Sequence, residues 1–166
     1  MKKTLSIIFL FMALSIPSFA GDFISNFMKK CVESKHPVSN INIGKKMLEK
    51  LIPKTDDEDL KNVFRDLNSI RLITSDKKSD SKMYFKKAHE LIKSDYTDYK
   101  EVISVNDKNT KMSILLKDLG NSTQDLIMVG LDENNHLTII NVSGKIDFKS
   151  IGKLSETLNS TRNDMD

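Results

Sequence analysis

The sequence predicts an α+β fold, in which several amphipathic helices pack on a mainly antiparallel sheet. Three observations carry that expectation. Apolar residues recur at three- and four-residue spacing in the first half of the chain, as Leu60, Val63, Phe64 and Leu67 do. From Tyr99 onward the period changes to alternation. The apolar runs Met112–Leu116, Leu126–Leu131 and Leu137–Val142 are then separated by polar connections. With Tyr99–Val105 they predict a C-terminal four-stranded antiparallel meander.

Taken in order, 22–32 reads as a helix, with Phe23, Phe27 and Cys31 four residues apart and Asp22 as its N-cap. His36-Pro37 ends the segment, because the residue before a proline avoids helical geometry. Val38, Ile41 and Ile43 predict a short strand closed by Gly44, and 45–52 a helix stopped by Pro53. Thr55 and Glu58 fit a capping box ahead of the Leu60–Leu67 stripe. The run 69–74 predicts a strand with Ile70, Leu72 and Thr74 on one face and Arg71 on the other. A polar loop, 75–81, leads to a helix over 82–93 that buries Tyr84, Phe85, Ala88, Leu91 and Ile92.

In the meander, Glu101, Ile103 and Val105 are expected on one strand face, and 106–109 forms a turn. A looser connection is expected over 119–123, and a hairpin turn at 132–135. One face of the sheet can be built from Ile103, Ile114, Ile127 or Met128, and Ile139 or Ile140. Leu115, Leu126 and Val142 then fall on the opposite face, which suggests an apolar strip open to a partner unless helices cover both faces. A final helix is expected from Asp147, with Phe148, Ile151, Leu154 and Leu158 as its stripe.

The N-terminus carries an address. Lys2 and Lys3 precede an apolar run from Leu5 to Ile16, Pro17 breaks it, and Ser18-Phe19-Ala20 supplies small residues where a signal peptidase cuts. Residues 1–20 are therefore expected to be a signal peptide, 21–158 a single domain and 159–166 a polar tail. The run falls short of the roughly 20 apolar residues of a membrane span, so no stable anchor is expected after cleavage. Removing Lys2 and Lys3 leaves 24 basic residues against 23 acidic, a formal charge of +1. That balance argues against a nucleic-acid partner, which would want a basic face. Cys31 is the single cysteine, so no intramolecular disulfide forms, and its place on an apolar helix face predicts a buried structural thiol.

No residue set announces chemistry. His36, His89 and His136 are scattered, without metal-ligand spacing, and 56–59 is a helix start rather than a calcium loop. There is no G-x-S-x-G and no glycine-rich phosphate loop. No catalytic, cofactor-binding or metal residue is assigned, and no cofactor is expected. Sequons at Asn121, Asn141 and Asn159 match N-x-S/T, the second of them inside a predicted strand.

Two stretches carry a family likeness: Leu67-Asn68-Ser69-Ile70-Arg71-Leu72-Ile73-Thr74, and Ile139 through Phe148 followed by Ile151 and Leu154. The segment from Ile41 to Pro53 adds to it. Through these residues, over about 27–158, the chain resembles a family of exported bacterial proteins, the domain of unknown function DUF4252. The resemblance implies an exported, non-enzymatic α+β domain, and it carries over no functional residues. Phe148 departs from the aliphatic residue expected there. The reading that follows is a periplasmic or extracellular binding module, pairing with an envelope protein or with itself through a sheet face or edge. The alternatives are a small hydrolase drawing on dispersed Asp125, Glu101, His89 or His136, and a small-ligand carrier with a deep apolar cavity. Cleavage after Ala20 predicts a mature protein beginning at Gly21. N-terminal sequencing of protein recovered from the producing cell's envelope fraction checks this, and an intact Met1 or Lys2 terminus refutes it.

Overall fold

Four α-helices and six strands organise residues 22–147, which are the residues this computed structural model describes. The expected signal peptide, the final helix beyond Asp147 and the C-terminal tail lie outside them. The order is α1 (Phe23–Cys31), β1 (Ser39–Gly44), α2 (Lys45–Leu51), a 3-10 turn (Ile52–Lys54), α3 (Glu58–Asp66), β2 (Leu67–Ser75) and α4 (Lys78–Asp95). The strands β3 (Lys100–Asn106), β4 (Lys111–Gly120), β5 (Thr123–Leu131) and β6 (Leu137–Gly144) follow. They join one sheet in the order β1-β2-β6-β5-β4-β3, every neighbouring pair antiparallel.

The expected meander is present as β3–β6, but the sheet has six strands, because β2 pairs with β6 and β1 with β2. The reason lies in β6 itself. Leu137 and Ile139 point to one face and Ile140 and Val142 to the other, and all four are buried. A strand apolar on both sides belongs inside a sheet that is covered twice. The chain then returns from β2 to the far edge at β3 along α4. Four inter-strand steps span about 19 Å, and the 18-residue α4 is about 27 Å long.

The helices divide between the faces. α1 and α4 cover Ile73, Leu115, Ile127, Val129, Leu131, Leu137 and Ile139, with Phe23, Phe27 and Tyr84 packed between. α2 and α3 bring Leu48, Val63 and Phe64 to the other face, over Ile70, Ile140 and Val142. Leu115 and Leu126 are 7% and 1% exposed, so the proposed open apolar strip does not exist at these positions. They are core, one under each cover. Cys31 is buried in the first cluster, and burial pushes its thiol up from the ordinary value.

Several local expectations shift for identifiable reasons. Asp22 does cap α1, accepting from the Ser25 amide at 3.0 Å. The capping box at α3 is replaced by Asp57, whose Oδ1 accepts from Asp59 and Leu60 at 2.9 and 3.1 Å. α4 starts at Lys78, four residues before the expected start, and absorbs part of the predicted polar loop. A bulge between Glu101 and Ile103 puts Glu101 opposite Leu115 and Ile103 opposite Ile114, on different faces. The connection expected over 119–123 is a two-residue hairpin turn, with Asn121 and Ser122 at φ 52° and 60° between Gly120 and Thr123. Gly144, at φ +145°, closes β6 where a Cβ would stand 2.5 Å from the Asp66 carbonyl oxygen.

Core and edge differ sharply in what they tolerate. Leu126→Ala is expected to lower the unfolding free energy by about 2–5 kcal/mol, while Val105→Lys on the exposed β3 stays within about 0.5 kcal/mol. Urea unfolding followed by circular dichroism reads both, and equal losses would refute the assigned cover of the sheet.

Candidate functional site

On the face under α1 and α4, the cross-strand register sorts inward residues into rows. One row runs Ile73–Ile139–Val129 and is apolar as far as β4, where the buried Ser113 follows. The next runs Asn42–Arg71–Asn141 and continues as Ile127–Leu115. The third is polar throughout, Ser69–Ser143–Asp125–Lys117. The sheet therefore changes character towards one end of this face.

That end is where α1 begins and α4 finishes, so the polar rows become the floor of a cleft instead of a core. Asp22 from the start of α1, Asp95 and Tyr96 from the end of α4, and Asp98 and Tyr99 from the α4–β3 connection form its walls. Leu119 stands at the rim, half exposed. The cleft holds about 540 Å³, within the roughly 300–1,000 Å³ of small-molecule sites.

Asp125 is its most constrained group. The Tyr99 hydroxyl donates to Oδ2, and Asn141 Nδ2 donates to Oδ1 at 2.9 Å while also reaching the Leu126 carbonyl at 2.9 Å. Burial pushes the Asp125 carboxyl above its ordinary range, and the two donated bonds offset this only in part. Burial, followed by the charge and hydrogen bond of Asp125, drives the Tyr99 hydroxyl far upward as well. Tyr99 and Asn141 together fix the orientation of the Asp125 carboxyl.

Around it, full charges close on one another. Arg71 pairs with Asp22 and donates to Ser25 Oγ at 2.7 Å. Lys117 pairs with Asp98 and lies 5.7 Å from the Tyr99 ring centre. Lys30 pairs with Asp95. The hydrogen bonds from Lys117 and Lys30 hold Asp98 and Asp95 below the ordinary carboxylate value. The Arg71 Nε is buried without a hydrogen-bond partner. Tyr96 and Tyr99 meet edge to face at 5.6 Å.

Of the dispersed residues weighed for hydrolysis, Asp125 alone reaches the cleft. His89 belongs to α4, its Nε2 3.3 Å from Ser113 Oγ and its Nδ1 3.0 Å from the Phe85 carbonyl. Ser113 is buried there. His136 sits in the β5–β6 turn with Nδ1 3.1 Å from Asp132 Oδ2, and His36 lies 3.1 Å from Asp80 Oδ1. Glu101 is exposed on β3. The fold keeps these groups apart, and among the described residues the cleft is lined by no histidine or cysteine. No metal-holding group of three His, Cys, Asp or Glu occurs among the described residues. No described helix is long and apolar enough to cross a membrane.

Arg71, Tyr99 and Asn141 escaped assignment from sequence. The available signal was a polar residue at an inward strand position: Asn141 interrupts the apolar run of β6, and Arg71 that of β2. The other exposed surface of note is β3, open at all seven residues and showing Val102, Ile103 and Val105. Its bulge and Lys100 are devices that discourage edge pairing.

The family model for Domain of unknown function (DUF4252) matches residues 32–154, and the chain belongs to this family. No curated protein and no solved structure matches it.

The upward shift of Asp125 has a definite sign in stability. Its folded-state value lies above the ordinary 3.8, so the unfolded chain releases this proton first as pH rises. Stability contributed by Asp125 therefore falls from pH 3.8 upward through its folded value. Asp95 and Asp98, held low, act oppositely and lose their contribution as pH falls. Asp125→Asn keeps the shape and cannot titrate. Relative to the parent, its unfolding free energy is expected to rise with pH above that point, read by urea titrations in acetate and phosphate buffers. A parent–variant difference independent of pH would refute the assignment.

Proposed function

We propose that this DUF4252 member is an exported protein of the bacterial envelope that acts as a non-catalytic binding module, with the polar cleft as its binding site. One observation carries the reading: at one end of this sheet face the row Ser69–Ser143–Asp125–Lys117 and the Asn42–Arg71–Asn141 half of the next are polar and line a cleft. A polar or charged side chain taken out of water costs free energy unless its partners are met, and apolar residues at the same positions would pack against longer helices. Keeping Arg71, Asn141 and Asp125 there, with neutral Asn42, Ser69 and Ser143 beside them, makes sense as a surface for hydrogen-bonding a bound molecule.

The basic n-region, apolar run and small residues before Gly21 support export. The lack of a nucleophile–base pair among the described lining residues supports binding over turnover. The partner in this reading is a small polar molecule. Leu115 and Leu126 are buried and offer no docking surface.

Ser143→Leu fills the floor from a half-buried position, next to Asp125. Protein incubated with a low-molecular-weight envelope extract, washed and denatured, is expected to release a compound detectable by mass spectrometry. The Ser143→Leu protein, with its circular dichroism unchanged, should release about tenfold less. Equal release from both proteins, or none from the parent, would overturn the reading.

A further inference from the structure

The charge pattern of the cleft narrows what it takes. Arg71, Lys117 and Lys30 each have a carboxylate, in Asp22, Asp98 and Asp95 respectively. A charged ligand would have to displace one member of a pair already made. Asp125 has no cation of its own, and each of its oxygens already accepts a bond, from Tyr99 or from Asn141. Besides the buried Arg71 Nε, what the floor still offers is neutral: the Asn42 amide and the Ser69 and Ser143 hydroxyls, each open to solvent at least in part. These side chains both donate and accept. Leu119 adds an apolar contact at the rim.

From this, resting on the reading of the cleft as a binding site, we infer that its ligand is an uncharged polyhydroxyl compound of the saccharide class. Such a molecule presents hydroxyls that donate and accept in turn, matching amide and hydroxyl side chains. Its C–H surface suits Leu119 at the rim. The register explains why the donors converge. Asn42 on β1, Ser69 on β2 and Ser143 on β6 fall on adjacent strands of one face and in neighbouring rows. The volume of about 540 Å³ has room for more than one sugar ring.

The test is protein-observed NMR on the isotope-labelled exported chain. Separate titrations use neutral disaccharides (maltose, cellobiose, trehalose and chitobiose), succinate as an anion and putrescine as a cation. Saturable shifts at the amides of residues 42, 69, 71, 141 and 143 with at least one disaccharide are expected, and Asn42→Ala should weaken that binding about tenfold. Asn42 is exposed on the edge strand, so the variant retains its fold. Shifts at these amides from succinate or putrescine, with none from the sugars, would overturn the ligand class and leave the binding site standing. Silence at these amides towards every probe would overturn both.

Discussion

Burial on both faces of one sheet is the constraint from which the rest of this architecture follows. β5 and β6 put large apolar side chains on each side, with Ile127 and Ile139 facing one way and Leu126 and Val142 the other. Neither face can be left to water, so α1 and α4 take one and α2 and α3 contribute cover to the other. The chain order follows from it. β2 must lie beside β6 to complete the sheet, while β3 must start at the opposite edge. α4 is long enough to make that crossing and apolar enough to serve as cover. Tyr84 shows how the packing resolves polarity on the way: its ring lies in the core, its hydroxyl donates to the His36 carbonyl at 2.6 Å, and it accepts from the Glu33 amide at 3.1 Å.

The same cover ends abruptly, and the cleft is what remains. α1 begins after its cap at Asp22 and α4 stops at Asp95, so among the described residues no helix covers the polar end of the face. The chain lines this end with polar residues, and the price is met locally. An ionised carboxylate placed where Asp125 lies would cost several kcal/mol. The hydrogen bonds donated by Tyr99 and Asn141 reduce that cost, and burial pushes the carboxyl above its ordinary value. At the rim, where water still reaches, ion pairs do the corresponding work for Arg71, Lys117 and Lys30. The result is a concave surface rich in fixed dipoles and poor in uncompensated charge, a setting suited to recognising hydroxyl and amide groups.

Much of the framework was legible because it depends on neighbours in sequence. The change from helical spacing to alternation located the meander, the cap at Asp22 located α1, and the polar cluster after Leu131 located a hairpin turn. Edges were less legible, because caps compete over one or two residues. Asp57 serves α3 in place of Thr55, and α4 recruits Ser79 to Ser81, which look like loop residues until Ser81 Oγ bonds the Ser75 carbonyl at 2.7 Å. Nothing local reveals the bulge that turns Glu101 away from Ile103.

By itself the sequence determined the fold class, the family, the run of alternating strands and the burial of Cys31, since each follows from periodicity, composition or short motifs. Tertiary structure alone decided which face Leu115 and Leu126 occupy, and that both faces are covered. It alone assembled a site from Arg71, Tyr99, Lys117, Asp125 and Asn141. Those residues come from the four interior strands and a connection, and their meeting depends on inter-strand register. Register is a relation between distant segments, set by how two apolar faces are buried together, and no single stretch of sequence contains it.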